Sequence, residues 1–150
     1  MKKYFFFELA KSSDQNQLLR WRNEKKTRRS SFNTKIIKAK HHKLWFKKTL
    51  KKKNIWIFKS KKQKIGMVRL EKNKRKTEIN YLISPRFRGK NLGQKMLVSF
   101  IKEAKSKTPL TIYAKSKLNN SSSYFTLLKS GFKIFQKKKN YYIFKFKNGK

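Results

Sequence analysis

The sequence predicts a single α/β domain built on one mixed sheet whose front half is antiparallel. Three observations carry that expectation. Apolar runs at residues 55–57, 65–70 and 77–83 are joined by short polar turns, the pattern of a meander. The stretch 91–105 then places Leu92, Met96, Leu97, Phe100, Ile101 and Ala104 on one helical face. The chain has 150 residues, with no internal repeat and no linker, which fits one domain spanning 1–150.

The elements follow in order. Residues 4–9 form a short aromatic run that reads as a strand. Ser12, Ser13 and Asp14 offer N-caps for a helix carrying Leu18, Leu19 and Trp21. Residues 23–35 are polar and basic, without a clear period. Helical spacing returns at 39–50, with Leu44, Trp45 and Leu50 as its apolar positions. After the meander, Ser84-Pro85 ends the third strand and the amphipathic helix follows. Pro109 breaks that helix, and residues 110–114 read as the next strand. A short helix at 119–130 closes on Gly131. Residues 132–135 and 141–146 form a terminal hairpin. The expected order is βααβββαβαββ.

Composition excludes several classes. With no Cys, two adjacent His and six carboxylates, neither disulfides nor a resident metal site is expected. The apolar run near the N-terminus is shorter than a signal-peptide core. No stretch reaches the roughly 20 apolar residues of a membrane span. These features point to a soluble cytoplasmic protein. The net charge of +38 invites a nucleic-acid reading, but Lys outnumbers Arg 36 to 8. Lys, Asn, Ile, Phe and Tyr are the residues that AT-rich coding favours, whereas specific base or phosphate recognition leans on Arg. Non-specific attraction of nucleic acid and other anions follows from the charge alone.

The chemistry concentrates in Ile83-Ser84-Pro85-Arg86-Phe87-Arg88-Gly89-Lys90-Asn91-Leu92-Gly93. It lies between a strand and an amphipathic helix. Such a junction turns free backbone N–H groups toward one point, backed by the positive end of the helix dipole. That arrangement suits a pyrophosphate. Gly89 and Gly93 allow close approach of the backbone, and Arg88 and Lys90 add charge. On local chemistry alone, an ordinary basic loop is an equal reading.

Arg88-Gly89-Lys90-Asn91-Leu92-Gly93 resembles the acetyl-CoA pyrophosphate loop of the GNAT superfamily, R/Q-x-x-G-x-G/A. The preceding Ile-Ser-Pro is similar to that superfamily's V-x-P. Asn120-x-x-Ser123 and Lys129-Ser130-Gly131-Phe132 resemble its N-x-x-(A/S)…K-x-G-F signature. Asn91 stands where the first motif glycine is usual, and Asn is the non-Gly residue most tolerant of left-handed backbone. The resemblance implies a GNAT fold, with helices on both faces of the sheet. It also implies an N-acetyltransferase with acetyl-CoA as donor, held by Leu82, Ile83, the loop 88–93 and Asn120. Leu18-Leu19-Arg20-Trp21-Arg22-Asn23, Thr27-Arg28-Arg29-Ser30-Ser31-Phe32 and His42-Lys43-Leu44-Trp45-Phe46 resemble the subgroup acting on nucleotide-linked amino sugars of pseudaminic-acid-type pathways. Protein N-terminal acetyltransferases share a weaker form of the W-R-N element. A non-catalytic RNA-binding module on the same fold is the rival from another class.

The resemblance also implies roles. Glu78 matches a frequent general base, needed because the acceptor is an ammonium at neutral pH. A carboxylate on the open sheet face paired with a Lys is the plainer alternative. Backbone N–H groups near Leu82 and Ile83 would stabilise the oxyanion. The superfamily's leaving-group acid is a Tyr at the position of Leu127; Tyr124, one turn earlier, is the substitute, or else a packing aromatic. Arg22 and Arg28 would clamp the phosphates of a nucleotide-sugar, with His42 and Trp45 against the acceptor. His42 as a solvated helix residue, and the arginines as generic basic surface, are the alternatives. A monomer and a homodimer both stay open.

Overall fold

In the computed structural model, described for residues 4–74, 76–105 and 111–147, the chain forms one seven-stranded sheet in the order β1-β2-β3-β4-β5-β7-β6. The elements are β1 (Phe5–Leu9), α1 (Gln15–Asn23), α2 (Lys25–Ser30), α3 (Ala39–Leu50), β2 (Ile55–Ser60), β3 (Gln63–Asn73), β4 (Lys76–Ile83), α4 (Leu92–Lys105), β5 (Thr111–Lys117), α5 (Ser121–Lys129), β6 (Lys133–Lys137) and β7 (Tyr141–Lys147). Strands β1 to β4 pair antiparallel, as do β5, β7 and β6. The two halves meet through β4 and β5, which run parallel. The expected break at Pro109 and the strand start at Leu110 lie outside the described residues.

Strand periodicity sorts the side chains onto two faces. On one face Phe58, Val68, Ile79, Ile112, Ala114 and Phe144 pack against Met96, Leu97, Phe100 and Ile101 of α4 and Leu127 of α5. On the other, Ile55, Ile57 and Met67 pack against Leu18 and Trp21 of α1 and Phe46 of α3. Helices therefore cover both faces. Gly66 has no room for a side chain, since a Cβ there would lie 2.5 Å from the Leu82 carbonyl oxygen. Gly131, at φ +98°, ends α5, with the Phe132 N–H donating to the Leu127 carbonyl at 3.0 Å, as a glycine C-cap does.

Three expectations need correction. The aperiodic stretch 23–35 contains α2, a helix whose signal is a cap rather than a hydrophobic stripe. Glu24 accepts from the Thr27 N–H at 2.9 Å, and no residue of α2 is buried. The apolar face of α3 is not built on Leu44 and Trp45, which are 58% and 37% exposed; its buried residues are His42, Phe46 and Thr49. A polar His and Thr at i and i+7 hide this stripe from a reading by hydrophobicity alone. The β3–β4 hairpin also runs further than its apolar residues, because the backbone ladder continues through Glu71, Lys72 and Asn73 with exposed side chains.

The corrected face of α3 is testable by urea unfolding. Phe46 is 1% exposed, so Phe46→Ala is expected to cost about 3–5 kcal/mol. Leu44→Ala should cost less than about 0.5 kcal/mol. Equal losses would mean α3 is rotated from the orientation described.

Candidate active site

β4 and β5 share a single register pair, Glu78 opposite Tyr113. Beyond it the two strands diverge toward their C-terminal ends, leaving the remainder of each edge unpaired with the other. Both C-terminal ends lead into helices, α4 after β4 and α5 after β5. The split therefore opens between two helix N-termini.

The β4 edge supplies donors to the split. The Ser84 N–H donates to Ile65 at 2.8 Å, and the Leu82 carbonyl points at Gly66, so Ser84 and Leu82 turn their backbone toward β3. Antiparallel pairing alternates such residues, so the N–H groups of Tyr81 and Ile83 turn toward β5. After β4, a 3-10 turn at Pro85–Phe87 leads into the loop. Gly89 and Asn91 both hold positive φ, +75° and +57°. Asn91 accepts the first α4 bond from the Lys95 N–H at 3.3 Å. The N–H groups of Leu92, Gly93 and Gln94 then point out of the helix end, as those of any first turn do. Gly93 keeps this end close to α5, since a Cβ would meet Thr126 at 3.4 Å. Behind the split, the Tyr81 hydroxyl hydrogen-bonds Ser123 of α5 at 2.9 Å. Burial raises the Tyr81 hydroxyl to about 12, with Ser123 opposing.

Helix α2 is tied to both arms. Arg88 donates from Nη1 to Glu24 at 3.0 Å and from Nη2 to the Thr27 hydroxyl at 2.6 Å. Lys117, at the end of β5, donates to the Arg29 carbonyl at 3.0 Å. Burial opposes ionisation of Glu24, but the Thr27 N–H, the Arg88 guanidinium and the Lys26 N–H outweigh it and hold the carboxyl down at about 2.

On the same face, Asn23 braces the segment between α2 and α3 with two bonds of 2.8 Å to Ile37. Arg28 donates to the Asn23 and Thr34 carbonyls at 3.0 and 3.1 Å, and Arg22 Nη2 to the Asn33 carbonyl at 2.7 Å. Arg22 Nη1 is buried with no partner. His42 stacks on Phe46 at 5.7 Å and leans on Trp45 at 5.5 Å; burial pushes its imidazole below the ordinary value. Glu78 Oε2 lies 3.7 Å from Lys115.

Residues 5–133 match the family model described as Acetyltransferase (GNAT) domain. The chain belongs to the GNAT acetyltransferase family. That membership makes it an acetyl-CoA-dependent N-acetyltransferase. No curated protein sequence matches the chain. Among solved structures, a domain from Methanocaldococcus jannaschii is similar at 22% identity and TM-score 0.86, over 98% of this chain and 100% of that one. The yncA protein of Salmonella typhimurium, solved with its cofactor acetyl-CoA, has 14% identity and TM-score 0.77, over 96% of this chain and 94% of that one. The ribosomal-protein-alanine N-acetyltransferase of Brucella melitensis has 14% identity and TM-score 0.76, over 95% and 99%. At these identities the likeness is one of fold.

In this GNAT domain the expected cofactor residues fall together at the split. Gly89, Lys90, Asn91, Leu92 and Gly93 form the loop and helix end, and Asn91 has the left-handed backbone its position requires. Of the two expected oxyanion donors, the Ile83 N–H faces the split, whereas that of Leu82 belongs to the β3 ladder; Tyr81 is the second donor on the edge. Arg88 reaches α2 with its side chain and leaves only backbone to the loop. The Asn120 side chain is occupied as the cap of α5, accepting from Ser123 at 3.2 Å. Tyr124 packs among Phe125, Tyr142 and Phe144 at 5.2–5.7 Å, the packing alternative. His42 is 4% exposed and not solvated. Trp21 is core, and Arg28 is engaged with carbonyls, so half of the motif that suggested an acceptor site is architecture. Tyr81 escaped the sequence reading because a strand aromatic carries no sign of which edge its backbone faces. Among the described residues no group of His, Cys, Asp and Glu could hold a metal, and no helix is long and apolar enough to cross a membrane.

The Glu24 clasp has a pH signature. Its carboxyl is about 2 when folded against an ordinary 4.5. A depressed folded value stabilises above the unfolded value and is lost as pH falls toward the folded one. Stability from this group should be complete above about pH 4.5 and fade between there and pH 2. Urea midpoints across that window should fall less steeply for Glu24→Gln than for the native protein. Parallel slopes would show that the clasp contributes nothing in solution.

Proposed function

We propose that this domain acetylates the primary amine of a nucleotide-linked amino sugar, at the 4-amino group of a deoxy sugar destined for surface glycans. The observation that supports the acceptor class is the buried, partnerless Nη1 of Arg22 in the field of Arg28 and of Arg69, whose guanidinium lies over the partly exposed Trp45 ring. A guanidinium with a free N–H suits a phosphate oxygen, and an indole face suits a base or sugar ring. A peptide N-terminus offers no anion to that nitrogen.

Acetyl-CoA supplies a thioester to the split. The α4 N-terminus and the loop 89–93 hold its pyrophosphate on backbone N–H groups. The Ile83 N–H donates to the thioester carbonyl oxygen as negative charge develops there. Glu78, at the point of divergence, takes the proton of the acceptor ammonium, directly or through water. The amine nitrogen bonds to the carbonyl carbon, the carbon–sulfur bond breaks, CoA leaves as thiolate, and the second proton of the nitrogen passes to water or to the departing thiolate. A thiolate is a fair leaving group unprotonated, so no acid is required at the position of Leu127. The chain has no Cys to carry an acyl group, and attack within a ternary complex draws its rate from proximity.

Glu78→Gln is expected to lower kcat at neutral pH, with partial recovery as pH rises and the amine deprotonates unaided. A variant with the native pH–rate profile would show the proton leaving by another route. The acceptor itself is tested by competition. Labelled acetyl-CoA offered with a UDP-linked 4-amino-4,6-dideoxy sugar and ribosomal-protein N-terminal peptides should label the sugar first. Label on the peptides would overturn the sugar assignment.

A further inference from the structure

We infer that Arg69 of β3 forms, with Arg22 and over the Trp45 ring, an anion-binding subsite that fixes an acidic group of the acceptor one sheet step from Glu78. The inference rests on the acetyl-transfer reading and narrows its acceptor to amines that carry a nearby phosphate or carboxylate.

Register places Arg69 on the catalytic face. It stands opposite Asn80, as Glu71 stands opposite Glu78, and residues opposed across an antiparallel pair share a side. Arg69 and Glu78 are thus diagonal neighbours, about 7–8 Å apart at the backbone. The guanidinium carbon of Arg69 lies 5.0 Å from the centre of the Trp45 ring, which holds it flat. Arg69 Nε is buried without a hydrogen bond, as is Arg22 Nη1.

The charges are unbalanced. The Arg22 cation is disfavoured first by burial, then by Arg28 and Arg69. Arg28 adds charge alone, since its Nε and Nη1 already serve carbonyls. The carboxylate in contact is Glu71, 3.3 Å from Arg69 Nε and half-exposed, and an exposed pair of that kind contributes little. Glu78 is engaged with Lys115 on the β5 side. Three guanidiniums gathered around one buried N–H group with no partner, that of Arg22 Nη1, are costly unless an anion joins them. An acceptor whose acidic group sits on Arg69 and Arg22 would carry its amine toward Glu78 across that single step. Polyamines and aminoglycosides, which are cations throughout, are repelled by the same residues.

The test uses CoA-saturated protein, so that the pyrophosphate loop is filled, titrated with inorganic phosphate. Trp45 reports locally, and the signal of Trp21 and Trp56 is removed by subtracting the Trp45→Phe titration. A saturable change at Trp45 is expected, weakened about tenfold or more in Arg69→Gln and in Arg22→Gln and partly restored in Arg69→Lys. Lys62→Gln, on the β2–β3 turn, should titrate as the native protein does. Near-UV circular dichroism selects variants with native packing. A Trp45 signal that does not saturate, that survives Arg69→Gln unchanged, or that Lys62→Gln weakens equally would overturn the subsite in favour of diffuse surface charge. Because no turnover is read, phosphate binding at Trp45 in a protein that ignores sugar-nucleotides would sink the sugar assignment and leave the subsite standing.

Discussion

β4 and β5 touch at Glu78 and Tyr113 and then part, and most of the site follows from that parting. A parallel pair buried on both sides would ordinarily continue, because unpaired backbone groups in an interior are costly. Here the edges are held apart. Tyr81 bonds to Ser123 across the gap on the α5 side, and Lys117 and Arg88 reach α2 on the other. The exposed edge of β4 then presents N–H groups that a thioester and its linker can satisfy. The gap also brings the N-terminal ends of α4 and α5 to one rim, where an anion is favoured by both dipoles.

Helix α2 gives the split its second property. With six residues and no buried side chain, it has little reason to fold alone. Glu24 caps it and Arg88 holds Glu24, so the first residue of the 88–93 loop also ties down α2. Loop and helix thereby share a bond of 3.0 Å. Asn33 and Thr34, in the segment after α2, are held in turn by Arg22 and Arg28.

Much of this was legible from residue order. The meander, the amphipathic α4 and the terminal hairpin follow from period and turn chemistry, because those are local; the left-handed Asn91 follows from the resemblance to the GNAT loop. The face of α3 was not legible, since its buried stripe begins with His42 and ends with Thr49 and only the partner surface of Leu18, Trp21 and Met67 decides between faces. Helix α2 was missed because it is stabilised by Arg88, 64 positions away from Glu24. The W-R-N element was recognisable, but its division of labour was not. Trp21 fills the core, Asn23 braces a loop, and Arg22 alone keeps a free nitrogen. Arg69 escaped because a basic residue in a chain with 44 of them carries no signal without its register.

That last point separates the two cations. None of the described lysines is buried, as expected of residues spread by compositional drift. Four of the described arginines are placed otherwise. Arg22 holds a buried nitrogen without a partner, Arg69 pairs with Glu71 and lies over Trp45, Arg28 and Arg88 are locked by two bonds each, and all four stand beside the split or its roof. A guanidinium gives directed, bidentate bonds where an ammonium gives a point charge, so a chain whose coding favours lysine retains arginine where direction matters. The net charge of +38 is therefore a poor guide to what the protein binds. The long-range field draws every anion and is screened beyond about 8 Å at physiological ionic strength. Directed contact with an anion, as opposed to attraction at a distance, requires guanidiniums held in place, as Arg69 is by Trp45 and Arg22 by the Asn33 carbonyl.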